Sequence, residues 1–331
     1  MSIDYRTEST DSLYSLRLGP EAAEVRAEPV TGHLLAVLRN AIYLESDDGR
    51  IICIVDGEID GPLTLRVADL TPLRSVLASR PGGTFKATRE ALYIPGAVPL
   101  LWADTPRWLP QLPQEVGPAS ERLRAAQTLA RLIEDVGRLE GCAPFIAQLI
   151  GAWRAMPLQQ KVPSDALSSR IVRCLHEARD AIQRADYEES AHALVALIGL
   201  GPGLTPSGDD LVAGVIASLV WQARLGCVPG ELASGIVEAI RAVAPTRTNR
   251  ISTRLLWYAC EGILYRPAME LGVALLSGNV DAIASPAAIL FSIGNTTGID
   301  LAAGLVIGAL MGIESDTIAY TGKGRFIITD K

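Results

Sequence analysis

Short apolar segments separated by turn residues dominate the first third of the chain. These segments lie at residues 34–37, 41–44, 51–55, 63–67, 84–87 and 91–94. Asp47-Asp48-Gly49-Arg50 stands between two of them as a hairpin signal. One short helix is expected at residues 72–79, where Pro72 falls in the first turn. The pattern predicts a small N-terminal antiparallel β domain, a sheet or a barrel, over residues 1–112.

After a stiff Leu-Pro-Gln-Leu-Pro connector at residues 109–113, apolar positions recur with helical spacing. The predicted helices cover residues 120–139, 164–185, 211–224, 231–243, 252–264, 268–276, 287–292 and 301–312. Those that follow Gly208 are rich in small apolar residues, which permits close contact between helices inside a core. We therefore predict an α+β fold in which the β domain precedes a mostly α-helical domain over residues 113–331.

Composition narrows the class of protein. Apolar residues make up 49 % of the chain and aromatic residues only 5 %, so the core must consist mainly of Ala, Leu, Ile and Val. The formal net charge of −7 argues against a nucleic-acid partner. Residues 1–17 do not resemble a signal peptide, and the apolar stretch 282–313 is interrupted by polar residues that are costly in lipid. Five cysteines without short pairing fit a reducing compartment, and we predict a cytoplasmic protein with no membrane span.

The most informative segment is residues 199–214, which reads GLGPGLTPSGDDLVAG. Glycines let its backbone approach a ligand closely, and prolines stiffen the loop. Asp209 and Asp210 fall in the first turn of the next helix, where carboxylates complement the positive end of the helix dipole. Such a loop is typical of a binding site. The loop residues that we expect to contact a ligand are Gly203, Thr205, Ser207 and Gly208.

A weaker copy of this motif occurs near the C terminus. When Asp210 is aligned with Asp300, residues 208–214 and 298–304 both read G-x-D-L-x-A-G, and hydroxyl residues precede each. We predict that the two loop–helix junctions converge on one pocket. The alternative is that both aspartates only cap helices. In the predicted pocket the catalytic residues are Asp209, Asp210 and Asp300, and the further ligand contacts are Asn295, Thr296 and Thr297.

Residues 246–254 form another polar cluster, with three arginines beside the start of a predicted helix. Because Arg binds carboxylate or phosphate in a bidentate manner, Arg247, Thr248 and Arg250 are candidate anion contacts; a solvated loop is the alternative. No cofactor is certain. The three aspartates either hold Mg²⁺ or a similar hard cation, or accept hydrogen bonds from an amide or ureide.

Three runs together resemble a known family. They are GLGPGLTPSGDD at residues 199–210, TRTNRIS at 246–252 and GNTTGID at 294–300. They are similar to the DUF2877-type, AllH-like proteins that are encoded with allantoin-degradation genes, and the resemblance covers about residues 197–312. Relatives tend to have Ser at the position of Thr297.

The resemblance implies a subunit of oxamate carbamoyltransferase, a transferase of purine and allantoin catabolism. That enzyme converts oxalurate and phosphate to oxamate and carbamoyl phosphate. A chain of this kind would be part of a cytoplasmic oligomer with other protein subunits. It would bind a small carboxylated amide or ureide together with phosphate.

Three functions stay open from the sequence. The first is an enzyme subunit that takes part in carbamoyl transfer. The second is a non-catalytic scaffolding or regulatory subunit, in which the Gly-rich loop serves shape alone. The third is a metal-dependent hydrolase, because paired aspartates that open apolar helices resemble the magnesium sites of ADP-ribosylglycohydrolases.

Overall fold

The protein divides into two compact units, Met1–Pro110 and Gln111–Lys331, in a computed structural model. The structure describes residues 13–78, 82–137, 140–145 and 166–321.

The described part of the N-terminal unit is an eight-stranded closed barrel with two short helices. Its strands are β1 Leu13–Leu18, β2 Val30–Val37, β3 Ala41–Ser46, β4 Ile51–Val55, β5 Thr64–Val67, β6 Thr84–Ala87, β7 Ala91–Tyr93 and β8 Leu100–Leu101. Around the barrel they follow the order β1-β5-β4-β3-β2-β6-β7-β8, and β8 pairs with β1 to close it. Of the two predicted alternatives, a sheet or a barrel, the structure is a barrel.

The pairing in this barrel is mixed, although an antiparallel arrangement was expected. Parallel pairs join β1 to β8 and β4 to β5, and the remaining pairs are antiparallel. The connection over residues 56–63 carries the chain back along the barrel, so β5 runs in the same direction as β4. The direction of a strand relative to its neighbour depends on the path of the connection between them. The alternation of apolar and polar residues within one strand does not reveal that path.

A hydrophobic core fills the barrel. Trp102, Phe85, Ile54 and Leu65 are all buried within it. Helices α1 (Pro20–Ala27) and α2 (Thr71–Leu77) belong to this unit. Glu21 of α1 is buried as well, and its carboxylate accepts a hydrogen bond from the Ile51 N–H at 2.9 Å. This buried hydrogen bond therefore fixes α1 to the first residue of β4.

The second unit is helical. Its described helices are α3 Ala119–Asp135, α4 Ala166–Gln183, α5 Tyr187–Val195, α6 Ser207–Arg224, α7 Gly230–Arg247, α8 Arg250–Cys260, α9 Arg266–Ser277, α10 Ala284–Phe291 and α11 Thr297–Thr321, with 3₁₀ turns at Ala143–Phe145 and Val280–Ala282. The predicted α+β class, a β region followed by a mostly helical one, is confirmed.

Helices α6 and α11 form the centre of this unit. Every residue of α6 from Ser207 to Gln222 is buried. A side chain at Gly214 would place its first carbon 2.3 Å from the Leu301 carbonyl oxygen, and one at Gly304 would place it 2.1 Å from the Leu211 carbonyl oxygen. The two backbones therefore cross in direct contact, at glycines that correspond in the two copies of the motif.

The apolar stretch at residues 282–313 contributes α10 and most of α11, separated by residues 292–296. Within the described ranges, no helix has both the length and the apolar character needed to cross a bilayer.

Candidate functional site

The starts of α6 and α11 bring together three aspartates. Asp209 and Asp210 lie in the first turn of α6, and Asp300 lies in the first turn of α11. Asp210 is 6 % exposed and Asp300 is 0 % exposed. Acidic residues favour a helix N terminus, but full burial of the carboxyl groups exceeds what helix capping requires.

Asp209 fixes the Gly-rich loop. Its Oδ1 accepts a hydrogen bond from the Gly199 N–H at 2.6 Å, and its Oδ2 accepts one from the Thr248 hydroxyl. Burial raises the pKa of Asp209, and its bonds from Thr248, Gly199 and Ser252 act in the opposite direction. Both carboxylate oxygens of Asp209 thus already accept a hydrogen bond from the protein.

The loop itself is held by the start of α8. The Asn249 side chain caps this helix by accepting from the Ile251 and Ser252 N–H groups, and its Nδ2 donates to the Leu204 carbonyl oxygen at 2.8 Å. Gly201 has φ +117°, and a side chain there would place a carbon 2.8 Å from the Ser207 nitrogen. Glycine is therefore required where the loop turns against the first residue of α6.

Asp210 has an oxygen that the protein leaves unpaired. Its Oδ2 is buried and has no hydrogen-bond partner. Burial raises the pKa of Asp210 well above its ordinary value, and the neighbouring charges of Asp300 and Asp209 raise it further; Thr205 and Thr297 act in the opposite direction through hydrogen bonds. The hydroxyls of these two threonines also lie 2.7 Å apart, which links the loop before α6 to the first residue of α11.

Asp300 shows the same feature in the second junction. Its Oδ1 accepts a hydrogen bond from the Cys142 N–H at 2.5 Å, whereas its Oδ2 is buried without a partner. Burial raises the pKa of Asp300, and hydrogen bonds from Cys142, Ser207 and Thr296 oppose that rise. Two carboxyl groups therefore each present one unsatisfied oxygen in a desolvated setting, which costs free energy unless a ligand or a proton compensates.

The remaining predicted residues are distributed around these carboxyls. Ser207 is buried, and Thr297 is 8 % exposed. Gly208 packs against the end of the preceding segment, where a side chain would place a carbon 2.1 Å from the Leu197 carbonyl oxygen. Thr248 contacts Asp209.

Four other predicted residues are exposed. Gly203 lies on the outside of the loop, and Asn295 donates from its Nδ2 to the Glu140 carboxylate at 2.5 Å. The side chains of Arg247 and Arg250 are exposed at the end of α7 and the start of α8. Thr296 is half-buried beside Asp300.

Gly141 and Cys142 were not identified from the sequence. They lie just before the 3₁₀ turn at Ala143–Phe145, more than 150 residues from Asp300, in a segment without any motif. Only the fold brings them to the start of α11.

The three aspartates do not provide a ready metal centre. Among the residues that the structure describes, no group of three or more His, Cys, Asp or Glu side chains is arranged to hold a metal ion. Asp209 already directs both oxygens to donors of the protein. The first turns of α6 and α11 thus bring together two buried carboxyls with hydroxyl groups beside them.

Comparison with known proteins agrees with the resemblance drawn from the motifs. A family model described as oxamate carbamoyltransferase subunit AllH matches residues 197–309, about a third of the chain. The matched region begins just before the Gly-rich loop and ends within α11, so it contains all three aspartates. The suspected family resemblance is confirmed. No solved structure matches the chain.

Proposed function

We propose that this chain is a subunit of a carbamoyltransferase of the oxamate carbamoyltransferase type, and that it binds a small carboxylated amide or ureide at the starts of α6 and α11. The observation that carries the proposal is the pair of buried, unpartnered oxygens, Asp210 Oδ2 and Asp300 Oδ2. The family match over residues 197–309 supports the class of reaction.

An amide or ureide suits these oxygens chemically. Its N–H groups can donate to an ionised carboxyl, and its carbonyl oxygen can accept from a protonated one. Burial raises the pKa of both Asp210 and Asp300, so one protonated and one ionised carboxyl would provide a donor and an acceptor for such a ligand. A buried pair of this kind discriminates strongly, since a ligand that lacks the matching groups leaves the carboxyls unsatisfied.

The reaction needs little covalent help from the protein. An oxygen of hydrogen phosphate attacks the terminal carbamoyl carbon of oxalurate, and the bond from that carbon to the oxamate nitrogen breaks. Hydrogen phosphate loses one proton and the leaving nitrogen gains one. Asp210 and Asp300 would relay this proton, while position and electrostatics supply the rest of the rate enhancement.

The other predicted residues have supporting roles in this proposal. Thr205, Ser207, Thr296 and Thr297 provide hydroxyl groups around the two carboxyls. Arg247 and Arg250 lie at the α7–α8 junction that holds the Gly-rich loop, where they would bind the anionic carboxylate or phosphate. Asp209 keeps the loop in place.

A ligand titration tests the proposal. The purified chain would be heated with oxamate, oxalurate, carbamoyl phosphate or phosphate, each with and without Mg²⁺. A ligand at a hundred times its Kd adds about 2.7 kcal/mol of apparent stability, which raises Tm by a few degrees. We expect a response to at least one ligand, its loss in Asp210→Asn, and its retention in Asp281→Asn, a matched change at an exposed aspartate.

The negative result is equally informative. If no ligand stabilises the chain, and stability rises only when a partner subunit is added, the chain is a scaffolding or regulatory subunit. Retained carbamoyl transfer by a complex that contains Asp210→Asn would contradict the catalytic role.

A further inference from the structure

Residues 140–142 are held against the start of α11 at both of their ends. At one end the Cys142 N–H donates to Asp300 Oδ1 at 2.5 Å, over 158 positions of the sequence. At the other end the Glu140 carboxylate accepts from the Nδ2 of Asn295, in the loop that precedes α11. The main chain between these two bonds therefore runs directly along the second junction.

Gly141 is the point of closest approach. A side chain there would place its first carbon 2.5 Å from Asp300 Oδ1, 2.9 Å from Asp300 Oδ2 and 2.9 Å from the Thr296 Cβ. Carbon atoms in proteins do not come this close to their neighbours, so the first atoms to give way would be the two oxygens of the Asp300 carboxyl. Only glycine leaves that carboxyl where it is.

The backbone conformation alone does not explain this glycine. Gly141 has φ +69°, in the left-handed region that favours glycine. Gly137, four residues earlier, has nearly the same conformation with φ +63°, but an added carbon there would meet nothing within 4 Å. The two positions thus share the requirement for a left-handed backbone, and only Gly141 also faces a carboxyl of the candidate site.

We propose that Gly141 is a positioning residue of the candidate site. Because it has no side chain, the main chain comes close enough for the Cys142 N–H to hold Asp300 Oδ1, and the unpartnered Oδ2 is left for the ligand. The inference rests on the proposed function, since that function assigns the Asp300 carboxyl to ligand binding. A side chain at position 141 would displace this carboxyl while every polar group of the site is still present.

The first test compares Gly141→Ala with Gly137→Ala. Both changes force alanine into the same left-handed backbone, so the difference between them isolates the contact with Asp300. The Kd is measured by separate titrations with oxalurate, oxamate, carbamoyl phosphate and phosphate. For the ligands that bind the wild-type chain, we expect Kd to rise about tenfold or more in Gly141→Ala and to stay within about twofold in Gly137→Ala.

Asparagine at the same two positions separates the contact from backbone strain. Asn adopts the left-handed region more readily than Ala, but it still carries the first side-chain carbon. Gly141→Asn should therefore bind as weakly as Gly141→Ala. If Gly141→Asn recovers the wild-type Kd, or if the changes at positions 137 and 141 raise Kd equally, Gly141 serves only the turn and the inference is wrong.

A measurement without ligand distinguishes failure of this inference from failure of the proposed function. Hydrogen exchange of the Cys142 amide, followed by NMR, reports directly on its bond to Asp300. The amide of Leu219, inside α6, reports on the stability of the helical unit as a whole. Relative to Leu219, the Cys142 amide should exchange about tenfold faster or more in Gly141→Ala and Gly141→Asn, and stay near its wild-type rate in Gly137→Ala.

These outcomes are independent of each other. If the wild-type chain binds none of the four ligands but the Cys142 amide is released only by the changes at position 141, the proposed function fails and Gly141 still positions the Asp300 carboxyl. If the amide keeps its wild-type exchange rate in Gly141→Ala, the carboxyl has not moved and the positioning role is refuted, whatever the ligands do.

Discussion

The starts of α6 and α11 are built on the same short motif and differ at two of its seven positions. Both read G-x-D-L-x-A-G, and both begin with a glycine packed on an earlier carbonyl oxygen: a side chain at Gly208 would lie 2.1 Å from that of Leu197, and one at Gly298 would lie 1.7 Å from that of Leu290. One difference, Val212 against Ala302, keeps a buried apolar residue, and the other places Asp209 in the first junction where the second has Ile299. Asp209 is bonded to the loop and to Thr248, whereas Ile299 is buried as an apolar side chain.

This difference assigns separate tasks to neighbouring carboxylates. The first junction follows a Gly-rich loop that needs to be held in place, and Asp209 supplies the bond. The second junction needs no such bond, since residues 140–142 pack against it. The aspartates that the two junctions share, Asp210 and Asp300, are the ones with an unpartnered oxygen. In the proposed site the shared aspartates thus face the ligand, and the unshared Asp209 supports the frame around them.

The largest loss of stability is expected at the crossing of α6 and α11, where one added methyl group would clash with the backbone of the facing helix. In Gly214→Ala the new carbon would meet the Leu301 carbonyl oxygen at 2.3 Å and the Leu305 nitrogen at 2.7 Å, so α6 and α11 must separate. We expect a loss of about 3 kcal/mol or more in the free energy of unfolding, measured by urea denaturation.

Gly235→Ala is the matched control for this change. Gly235 lies inside α7, with no atom within 4 Å of an added carbon. Alanine should stabilise this helix by about 0.5–1 kcal/mol. Equal effects of the two substitutions would show that the close crossing of α6 and α11 is not needed for stability.

Replacement of Asp209 and of Asp210 by alanine tests whether the first stabilises the loop and the second serves the ligand. Asp209→Ala leaves the Gly199 N–H and the Thr248 hydroxyl without their partner, and should cost about 2–3 kcal/mol of stability. Asp210→Ala removes a carboxyl with a buried unpaired oxygen, and the Thr205 and Thr297 hydroxyls can bond to each other, so its cost should be under about 1 kcal/mol.

Ligand response should follow the opposite order. Asp210→Ala should abolish the thermal shift produced by the responding ligand. Asp209→Ala should only weaken that shift, because it loosens the Gly-rich loop and leaves the Asp210 carboxyl in place. Should Asp210→Ala prove the more destabilising of the two in urea, the assignment of Asp209 to the frame and Asp210 to the site would be reversed.

Much of the fold was accessible from periodicity, and the parts that were not have identifiable causes. Strands β2 to β7 follow apolar segments with turn residues between them, and the helices after Gly208 follow long apolar patterns. Strand β1 and helix α1 were not predicted: β1 exposes Tyr14 and Leu16, and α1 buries Glu21 among its alanines, so neither shows a clean separation of polar and apolar faces. Closure by β8 depends on a two-residue strand that pairs with β1 across the chain, which local sequence cannot indicate.

The candidate site was accessible from sequence only where a motif marks it. The internal copy of G-x-D-L-x-A-G is enough by itself to relate Asp210 to Asp300, and the corresponding glycines explain why their helices can meet. The contacts of Asp209 and of the Cys142 N–H required the fold, because each has a partner at a distance in sequence: Thr248 for the first and Asp300 for the second.

The smallest expected effect comes from the hydroxyl that bridges the two junctions. Thr297→Ser removes one buried methyl group and keeps the hydroxyl that lies 2.7 Å from that of Thr205, so it should cost about 1 kcal/mol or less and leave the ligand response unchanged. Thr297→Val keeps the shape and removes the hydroxyl, so the ligand response should weaken because Asp210 loses one of its donors. Urea denaturation and the ligand titration, run on both variants, separate the two contributions. If the Val variant responds to ligand as well as the Ser variant, the two junctions are joined by packing alone, and the hydroxyl bridge has no part in the site.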